Sequence, residues 1–393
     1  MPALPISALP VPSLQAQIVS QQLAYLIQQE IKKCGGWIDF ATFMHMALYI
    51  PNLGYYSGET QKFGTRGDFV TAPEISPLFA QTLALQVLQI LASMRGNGLI
   101  SNILELGAGT GKLAVDLLLE LQELNQLPSQ YFILEVSNHL RQKQCETLQG
   151  QLPVDLFQRV VWLEALPLSF TGLIIGNEVL DAIPVHLVIN TEQGLHERGV
   201  TFDGDFIWQD KLLQQGKLHD QVSARSLPND YLTEICPAAS GLVNSLALCL
   251  KQGVILMLDY GFGSAEYYHP QRNQGTLMCH YLHYAHSNPL VNVGLQDITA
   301  HVNFTQIALS AEVHGIRLAG YVNQAQFLIN CGILDVLGQT SPNDMVTYVP
   351  LAAAAQKLLS PAEMGELFKV IAFTKNMDEP LIGFKDGDKS HTL

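Results

Sequence analysis

A glycine-rich turn between an apolar strand and a helix constrains the fold more than any other part of the chain. The apolar run 103–106 stops at Gly107, Gly109 and Gly111, and a helical pattern of Leu and Ala begins at Leu113. Glycine permits backbone angles and close approaches that a Cβ atom forbids. The start of the helix offers unpaired N–H groups to a polar or anionic ligand. The segment therefore predicts a strand–turn–helix unit of an α/β protein with a ligand at the turn.

The spacing of these glycines narrows the class of ligand. Lys112 stands where a dinucleotide fingerprint has its third glycine, and the turn contains no G-x-x-x-x-G-K-[ST] phosphate loop. Glu105 lies just before the first glycine, at the carboxyl end of the strand, where open α/β sheets bind ligands. An acidic residue followed by G-x-G-x-G resembles the signature of class I S-adenosylmethionine (SAM) methyltransferases. The alternative is a glycine-rich turn in another Rossmann-like protein.

A second acidic residue follows the next strand. Tyr131–Leu134 is a buried strand in the sequence pattern, and Glu135 ends it, 24 residues beyond Gly111. A carboxylate at this strand tip is suited to accept hydrogen bonds from both hydroxyls of a ribose. Glu135 is therefore predicted to bind the cofactor, and a solvated strand-end glutamate is the alternative.

The fourth predicted strand, 173–175, leads into the motif G-N-E-V-L-D-A-I-P, residues 176–184. It delivers Asn177, Glu178 and Asp181 to the edge of the sheet that carries Gly107. On a helical turn, carboxylates three residues apart share a face, and two carboxylates on one face can grip a guanidinium in fork geometry. We predict a catalytic role for these three residues. The alternative is a helix capped by Asn177, with the acids favouring its N-terminus.

A loop rich in glycine and proline, residues 63–77, precedes the glycine turn along the chain. Loops of this kind often carry binding residues, and Asp68, Thr71 and Glu74 are candidates to line the cofactor cleft. The alternative is a rigid turn that caps the helix starting near Ser76.

The order of predicted helices and strands divides the chain into five regions. Hairpin signals at 193–194 and 203–204 predict a β-meander inserted into the α/β sheet, serving either as a substrate-side subdomain or as a homodimer surface. The predicted divisions are 1–95, a helical N-terminal and lid region; 96–184, a Rossmann-like SAM-binding core; 185–252, the inserted meander and a helix; 253–376, the rest of the core; and 377–393, a flexible tail.

Charge and cysteine usage restrict the partners. The net charge of −14 disfavours a nucleic-acid target and is compatible with a basic patch on a protein. The six cysteines are scattered without a C-x-x-C pair, which is typical of a reduced, cytoplasmic chain without a disulfide framework. His280, His283 and His286 are spaced three apart, but no acidic or cysteine cluster supports a zinc shell, so we predict no metal.

No uninterrupted apolar run reaches the ~18 residues of a membrane helix. The N-terminal sequence also lacks the basic flank of a signal peptide and the Arg-rich pattern of a transit peptide. We therefore expect a cytoplasmic protein with no integral membrane segment.

Four motifs in order resemble one family: G-D-F-V-T-A-P-E-I-S, E-L-G-A-G-T-G, N-E-V-L-D-A-I-P and D-I-T-A-H-V-N-F-T. The chain is similar to the MidA-like SAM-dependent methyltransferases, relatives of the mitochondrial complex I assembly-factor arginine methyltransferase. Three positions depart from the family's pattern: Ala108 and Thr110, where many relatives have proline and arginine, and Asn303, where the motif often has aspartate.

The resemblance implies a seven-stranded class I fold with a helical N-terminal region and an inserted β-rich subdomain. It implies SAM as cofactor and symmetric dimethylation of an arginine on a subunit of respiratory NADH dehydrogenase. In this hypothesis the glycine turn and Glu135 hold SAM, and Glu178, helped by Asp181, orients the arginine. A small-molecule methyltransferase and a non-catalytic SAM-binding assembly chaperone are the alternatives.

Overall fold

The computed structural model describes residues 9–58, 71–312 and 314–393. The chain folds into two compact units, each built from three segments. The larger unit comprises 70–179, 240–263 and 302–393, and the smaller unit comprises 1–69, 180–239 and 264–301. Because the chain passes repeatedly from one unit to the other, the units do not follow the consecutive divisions predicted from the sequence.

The strands are numbered in chain order. They are β1 (Ile38–Asp39), β2 (Asn102–Leu106), β3 (Tyr131–Leu134), β4 (Val160–Leu163), β5 (Phe170–Asn177), β6 (His186–Thr191), β7 (Gly194–Asp203), β8 (Asp205–Leu212), β9 (Tyr231–Ile235), β10 (Leu250–Phe262), β11 (Met278–Tyr281), β12 (Tyr284–His286), β13 (Asp297–Thr299), β14 (Val302–Asn303), β15 (Arg317–Asn323) and β16 (Phe368–Lys375).

The helices are numbered in the same way. They are α1 (Leu14–Lys33), α2 (Phe40–Tyr49), α3 (Ala72–Ile75), α4 (Pro77–Gly96), α5 (Lys112–Glu123), α6 (Asn138–Gln151), α7 (Val154–Phe157), α8 (Lys217–Ser223), α9 (Pro237–Cys249), α10 (Ser264–Tyr267), α11 (Phe304–Glu312), α12 (Gln324–Asn330), α13 (Ile333–Gly338) and α14 (Met345–Leu359). Short 3-10 turns occupy Pro270–Arg272, Ile382–Phe384 and Ser390–Thr392.

The larger unit is organised on one sheet with the strand order β15-β16-β10-β5-β2-β3-β4. The strands from β10 to β4 run parallel to their neighbours, whereas β16 is antiparallel to both β10 and β15. The middle of β5 and of β10 is a continuous run of buried apolar residues, as expected of strands covered on both faces. Seven strands lie on this path and β14 adds a parallel pair to β10, and the predicted class I fold is confirmed.

Helix α4 of the larger unit is long and apolar enough to cross a membrane by length and composition, and 61% of its most apolar stretch is buried in the structure. Gln81, Gln86 and Gln89 interrupt the apolar residues of α4, so the sequence contains no uninterrupted apolar run of membrane-spanning length there. Its buried residues belong to the core that covers the sheet.

The smaller unit contains an antiparallel sheet of order β1-β7-β6-β9, with β8 paired to β7. The β6–β7–β8 meander follows the predicted hairpins, since Gly194 and Gly204 have positive φ at its turns. Aromatic rings of α2 pack on the meander; the ring centroids of Phe40 and Trp208 are 5.4 Å apart. A hairpin of β11 and β12, extended by β13, forms a separate small sheet.

The C-terminal segment 377–393 is packed within the larger unit, contrary to the prediction of a flexible tail. The Gly383 N–H donates to Gln86 Oε1 at 2.9 Å, and Asn330 Nδ2 donates to the Gly383 carbonyl at 2.9 Å. Phe384 is buried, with its ring 5.5 Å from that of Phe327. The charged composition of the segment conceals these few apolar anchors.

Candidate functional site: a cofactor crevice at the glycine turn

The glycine turn has the backbone that its sequence predicts. Residues 107–111 join β2 to α5, and φ is +58° at Gly107, +54° at Gly109 and +86° at Gly111. These values lie in the left-handed region, which costs a residue with a Cβ ~1–2 kcal/mol. The Gly107 N–H donates to the Leu134 carbonyl at 3.1 Å, which ties the turn to the end of β3.

The space around the three glycines differs. At Gly109, a Cβ atom would meet no protein atom within 4 Å, so the turn faces open space that a ligand can approach. At Gly111, a Cβ atom would lie 2.5 Å from Leu148 Cδ1 of α6, so glycine is needed there for helix packing. At Gly107, a Cβ atom would lie 3.4 Å from Val179 Cγ2, an ordinary contact.

Glu135 presents a buried carboxylate directly after β3. Its Oε1 accepts the Ser137 N–H at 2.8 Å, and its Oε2 accepts Gln144 Nε2 at 2.9 Å. Burial raises the pKa of Glu135, and the hydrogen bonds from Ser137 and Gln144 oppose that shift. Because each carboxylate oxygen has two lone pairs, one accepted hydrogen bond leaves capacity for a ribose hydroxyl.

Val136, which the sequence analysis did not single out, follows Glu135 with 77% of its surface exposed. An exposed aliphatic side chain beside a ribose-type carboxylate offers an apolar surface to a nucleobase. The signal was present in the sequence as an apolar residue placed directly after a strand-end acid.

Glu105 lies within β2 and is buried in the core rather than presented at the strand tip. Its Oε2 accepts the Tyr131 hydroxyl at 2.8 Å. Burial raises the pKa of Glu105 to about 7; the hydrogen bond from Tyr131 lowers it, and the charge of Glu135 adds to the rise. Glu105 therefore stands close enough to Glu135 for the two carboxylates to interact.

Helix α3 connects the glycine turn to the end of β5. Glu74 accepts a hydrogen bond from the Thr110 hydroxyl of the turn, and the Ala72 N–H donates to Glu178 Oε1 at 3.3 Å. Thr71 occupies the N-cap position of α3 without a side-chain capping bond. Asp68, the remaining candidate from this loop, lies outside the described residues.

Glu178 has an uncommon backbone conformation. It follows Asn177, the last residue of β5, with φ +53°. Its N–H donates to the Leu258 carbonyl at 2.8 Å, and its Oε1 also accepts Asn177 Nδ2 at 3.1 Å. The next N–H, of Val179, donates at 3.1 Å to Asp259, a buried carboxylate of β10 that the sequence analysis did not select. Left-handed non-glycine residues cost ~1–3 kcal/mol and cluster at functional sites.

The predicted helical turn at 178–181 is wrong. Residues 178–183 form a bend and a turn, so Glu178 and Asp181 do not share a helical face, and Asn177 caps no helix. The positive φ at Glu178 is the physical reason, because a right-handed helix requires a negative φ. Asp181 belongs to the smaller unit, where it is buried and its backbone carbonyl accepts the Ala300 N–H at 3.0 Å.

The three histidines spaced three apart lie on one hairpin: His280 in β11, His283 in the turn and His286 in β12. Burial lowers the pKa of His280 to about 4. Their spacing reflects the hairpin rather than a helical face.

A different titratable cluster, Asp39, His186 and Glu197, has its ligand-type atoms within 4.8 Å of one another. The closest pair is His186 Nδ1 and Glu197 Oε1, at 2.6 Å. Burial lowers the pKa of His186, but the Glu197 hydrogen bond and the charges of Glu197 and Asp39 outweigh it, so the pKa is raised. Sequence reasoning missed this cluster because its members come from three separate strands.

A mostly parallel sheet, a glycine turn facing open space and a carboxylate at the next strand tip are the features of a class I SAM-dependent methyltransferase. A family model for S-adenosyl-L-methionine-dependent methyltransferases matches residues 82–322. The chain belongs to this family, and SAM is its cofactor.

The relatives extend over most of the chain. The mitochondrial protein arginine methyltransferase NDUFAF7 of Danio rerio is 30% identical over 374 residues, covering 85% of this chain and 82% of that protein. The Homo sapiens protein of the same name is 27% identical, covering 86% and 80% of the two chains. A crystal structure from Burkholderia thailandensis, bound to S-adenosyl-homocysteine, is 48% identical with a TM-score of 0.94, covering 98% of this chain and 100% of that one.

The predicted cytoplasmic location is contradicted by these comparisons, since the zebrafish, mouse and human relatives are named as mitochondrial proteins. All six cysteines are free in the structure. Free cysteines indicate a reducing environment and do not by themselves identify the cytosol, which is why the inference failed.

Proposed function

We propose that this methyltransferase modifies arginine side chains of a protein, by symmetric dimethylation, and that its target is a subunit of a respiratory NADH dehydrogenase-type complex. The relatives named protein arginine methyltransferases support the acceptor type. The observation that carries the proposal is Glu178, a carboxylate fixed by the Ala72 N–H and the Asn177 amide on a strained backbone next to the strand end.

The cofactor side of the reaction uses the larger unit. Bound SAM supplies a methyl group carried on a positively charged sulfur. The open space at Gly109 admits the cofactor close to the backbone. Glu135 accepts hydrogen bonds from the ribose hydroxyls, and Val136 packs on the adenine. Thr71 and Glu74 are proposed to line the same crevice.

The acceptor side depends on charge complementarity. Glu178 holds the guanidinium through charge-assisted hydrogen bonds, which are stronger than neutral ones and directional. Asn177, which donates to Glu178 Oε1, is proposed to assist it. As the methyl group bonds to a guanidinium nitrogen, S-adenosylhomocysteine leaves and that nitrogen releases one proton to solvent. The methylated guanidinium therefore keeps a single positive charge, and the carboxylate pairs with the substrate and the product alike. Orientation of the reacting atoms can lower a barrier by up to ~7–11 kcal/mol, so a strong general base is not required.

The test separates acceptor positioning from cofactor binding. Glu178→Gln removes the negative charge and keeps the shape, so methyl transfer from radiolabelled SAM to protein should be lost while calorimetry shows unchanged affinity for S-adenosylhomocysteine. Glu123→Gln, which changes an exposed residue of α5, is the matched control and should retain full activity. Parallel loss of transfer and of affinity would remove Glu178 from the acceptor role.

The acceptor itself is identified by mass spectrometry. Subunits of the respiratory complex from cells with and without the gene should differ by symmetric dimethylarginine. Label that enters only small molecules would contradict the proposal, and so would bound cofactor without transfer to any protein.

A further inference from the structure

Gln144 of α6 lies between the two parts of the cofactor crevice. Its side chain is fully buried. Nε2 donates to Glu135 Oε2 at 2.9 Å and to the Gly109 carbonyl at 3.1 Å. One amide group thus joins the carboxylate after β3 to the turn after β2.

The orientation of this amide is set from its other end. Trp162 Nε1 of β4 donates to Gln144 Oε1 at 3.0 Å. An indole N–H can only donate, so it requires the amide oxygen to face β4 and the amide nitrogen to face the crevice. With the amide reversed, its oxygen would face two acceptors, the carboxylate and the carbonyl. Trp162 and the two acceptors therefore select the same orientation.

These contacts leave the Glu135 carboxylate able to accept further hydrogen bonds. Gln144 and the Ser137 N–H each take one lone pair of a different Glu135 oxygen. This fixes the plane of the carboxylate and leaves acceptor capacity on both oxygens for two vicinal hydroxyls. Burying a carboxylate without such donors is costly, so the donors also favour its charged form, which is the better acceptor.

We propose that Gln144 is a positioning residue for cofactor recognition: oriented by Trp162, it holds Glu135 and the glycine turn in register, so that the enzyme selects a ribose over a deoxyribose. This role rests on the proposed ribose contact of Glu135. Gln144 and Trp162 act through Glu135 and are not expected to touch the cofactor.

The test compares calorimetric affinities for S-adenosylhomocysteine and for its 2′-deoxyribose analogue. Hydrogen bonds to a charged group predict that the wild-type protein prefers the ribose ligand by about tenfold to hundredfold. Gln144→Met fills the same space without a donor and should reduce this preference to about threefold or less. Gln142→Met makes the same exchange on the exposed face of α6 and should leave the preference unchanged.

Trp162→Phe gives a second measurement that does not depend on Gln144→Met folding, since it keeps a six-membered aromatic ring while the indole N–H is lost together with the five-membered ring. The preference should fall by about threefold, in line with the loss of one neutral hydrogen bond. A purely structural role would lower the melting temperature and weaken both ligands equally, with the ratio of affinities intact.

The outcomes separate the two assignments. A wild-type protein that binds both ligands equally would overturn the ribose contact of Glu135, and the role of Gln144 with it. A wild-type preference that persists in full in folded Gln144→Met, or in Trp162→Phe, would overturn the role of Gln144 alone. Neither result depends on the identity of the methyl acceptor.

Discussion

Glu105→Gln should make the protein more stable at neutral and alkaline pH than the wild type. The substitution replaces the buried carboxyl group of β2 with an amide of nearly the same shape, whose oxygen can still accept the Tyr131 hydroxyl. Burial raises the pKa of Glu105 from 4.5 to about 7. The hydrogen bond from Tyr131 lowers this pKa, and the negative charge of Glu135 raises it further. Glutamine does not titrate, so the variant lacks this pH dependence.

The sign follows from proton binding. Below pH 4.5 the carboxyl group is protonated in the folded and the unfolded chain, and it adds no pH dependence. Between pH 4.5 and about 7 the unfolded chain releases the proton while the folded protein keeps it, so the free energy of unfolding falls as the pH rises. Each pH unit of that interval is worth ~1.4 kcal/mol, giving about 3 kcal/mol in total.

The assay is urea unfolding of both proteins across this pH range, followed by the fluorescence of the chain's three tryptophans. The free energy of unfolding of Glu105→Gln relative to wild type should rise by about 3 kcal/mol between about pH 4.5 and pH 8. Groups that do not interact with Glu105 titrate alike in both proteins and cancel in the difference. Glu123→Gln is the control and should show no such rise. A difference that is constant with pH, or that falls, would refute the reasoning.

Three further predictions concern single residues. Gly111→Ala should lower the free energy of unfolding by about 2–4 kcal/mol in urea titrations, from left-handed strain and the clash with Leu148; a loss below about 1 kcal/mol would contradict the clash. Gly109→Val should lower the free energy of unfolding only by the left-handed strain of about 1–2 kcal/mol. It should nevertheless eliminate S-adenosylhomocysteine binding in calorimetry, since the valine side chain enters the open space at the turn. Retained affinity would show that the cofactor does not bind in this space. The raised pKa of His186 means that its pair with Glu197 stabilises the protein below pH 6.5 and is lost as the pH rises through the folded pKa. His186→Asn should flatten that decline in urea titrations, and an unchanged pH profile would show that the pair contributes nothing.

The elements that position the cofactor could be predicted from the sequence because they depend on local patterns. The strand 131–134 coincides with its predicted bounds, since it is a short apolar run between turn signals. The glycine turn was likewise predictable, because positive φ strongly favours glycine there.

The features that the sequence did not reveal depend on tertiary contacts. The helical turn at 178–181 failed because spacing alone cannot show that Glu178 adopts a positive φ, held by the Leu258 carbonyl of a neighbouring strand. The role of Gln144 was equally hidden, since its partners Gly109 and Trp162 are 35 and 18 residues away in the chain. A polar residue on an amphipathic helix is expected at the surface, and only the fold shows that this one is buried.

The central claim is that SAM lies at the glycine turn with its ribose on Glu135. A crystal structure of this chain with S-adenosylhomocysteine tests it most directly. We predict that both ribose hydroxyls lie within hydrogen-bond distance of the Glu135 carboxylate and that the ligand lies beside the backbone of Gly109. A ligand bound elsewhere, or a ribose that contacts neither Glu135 oxygen, would contradict the account.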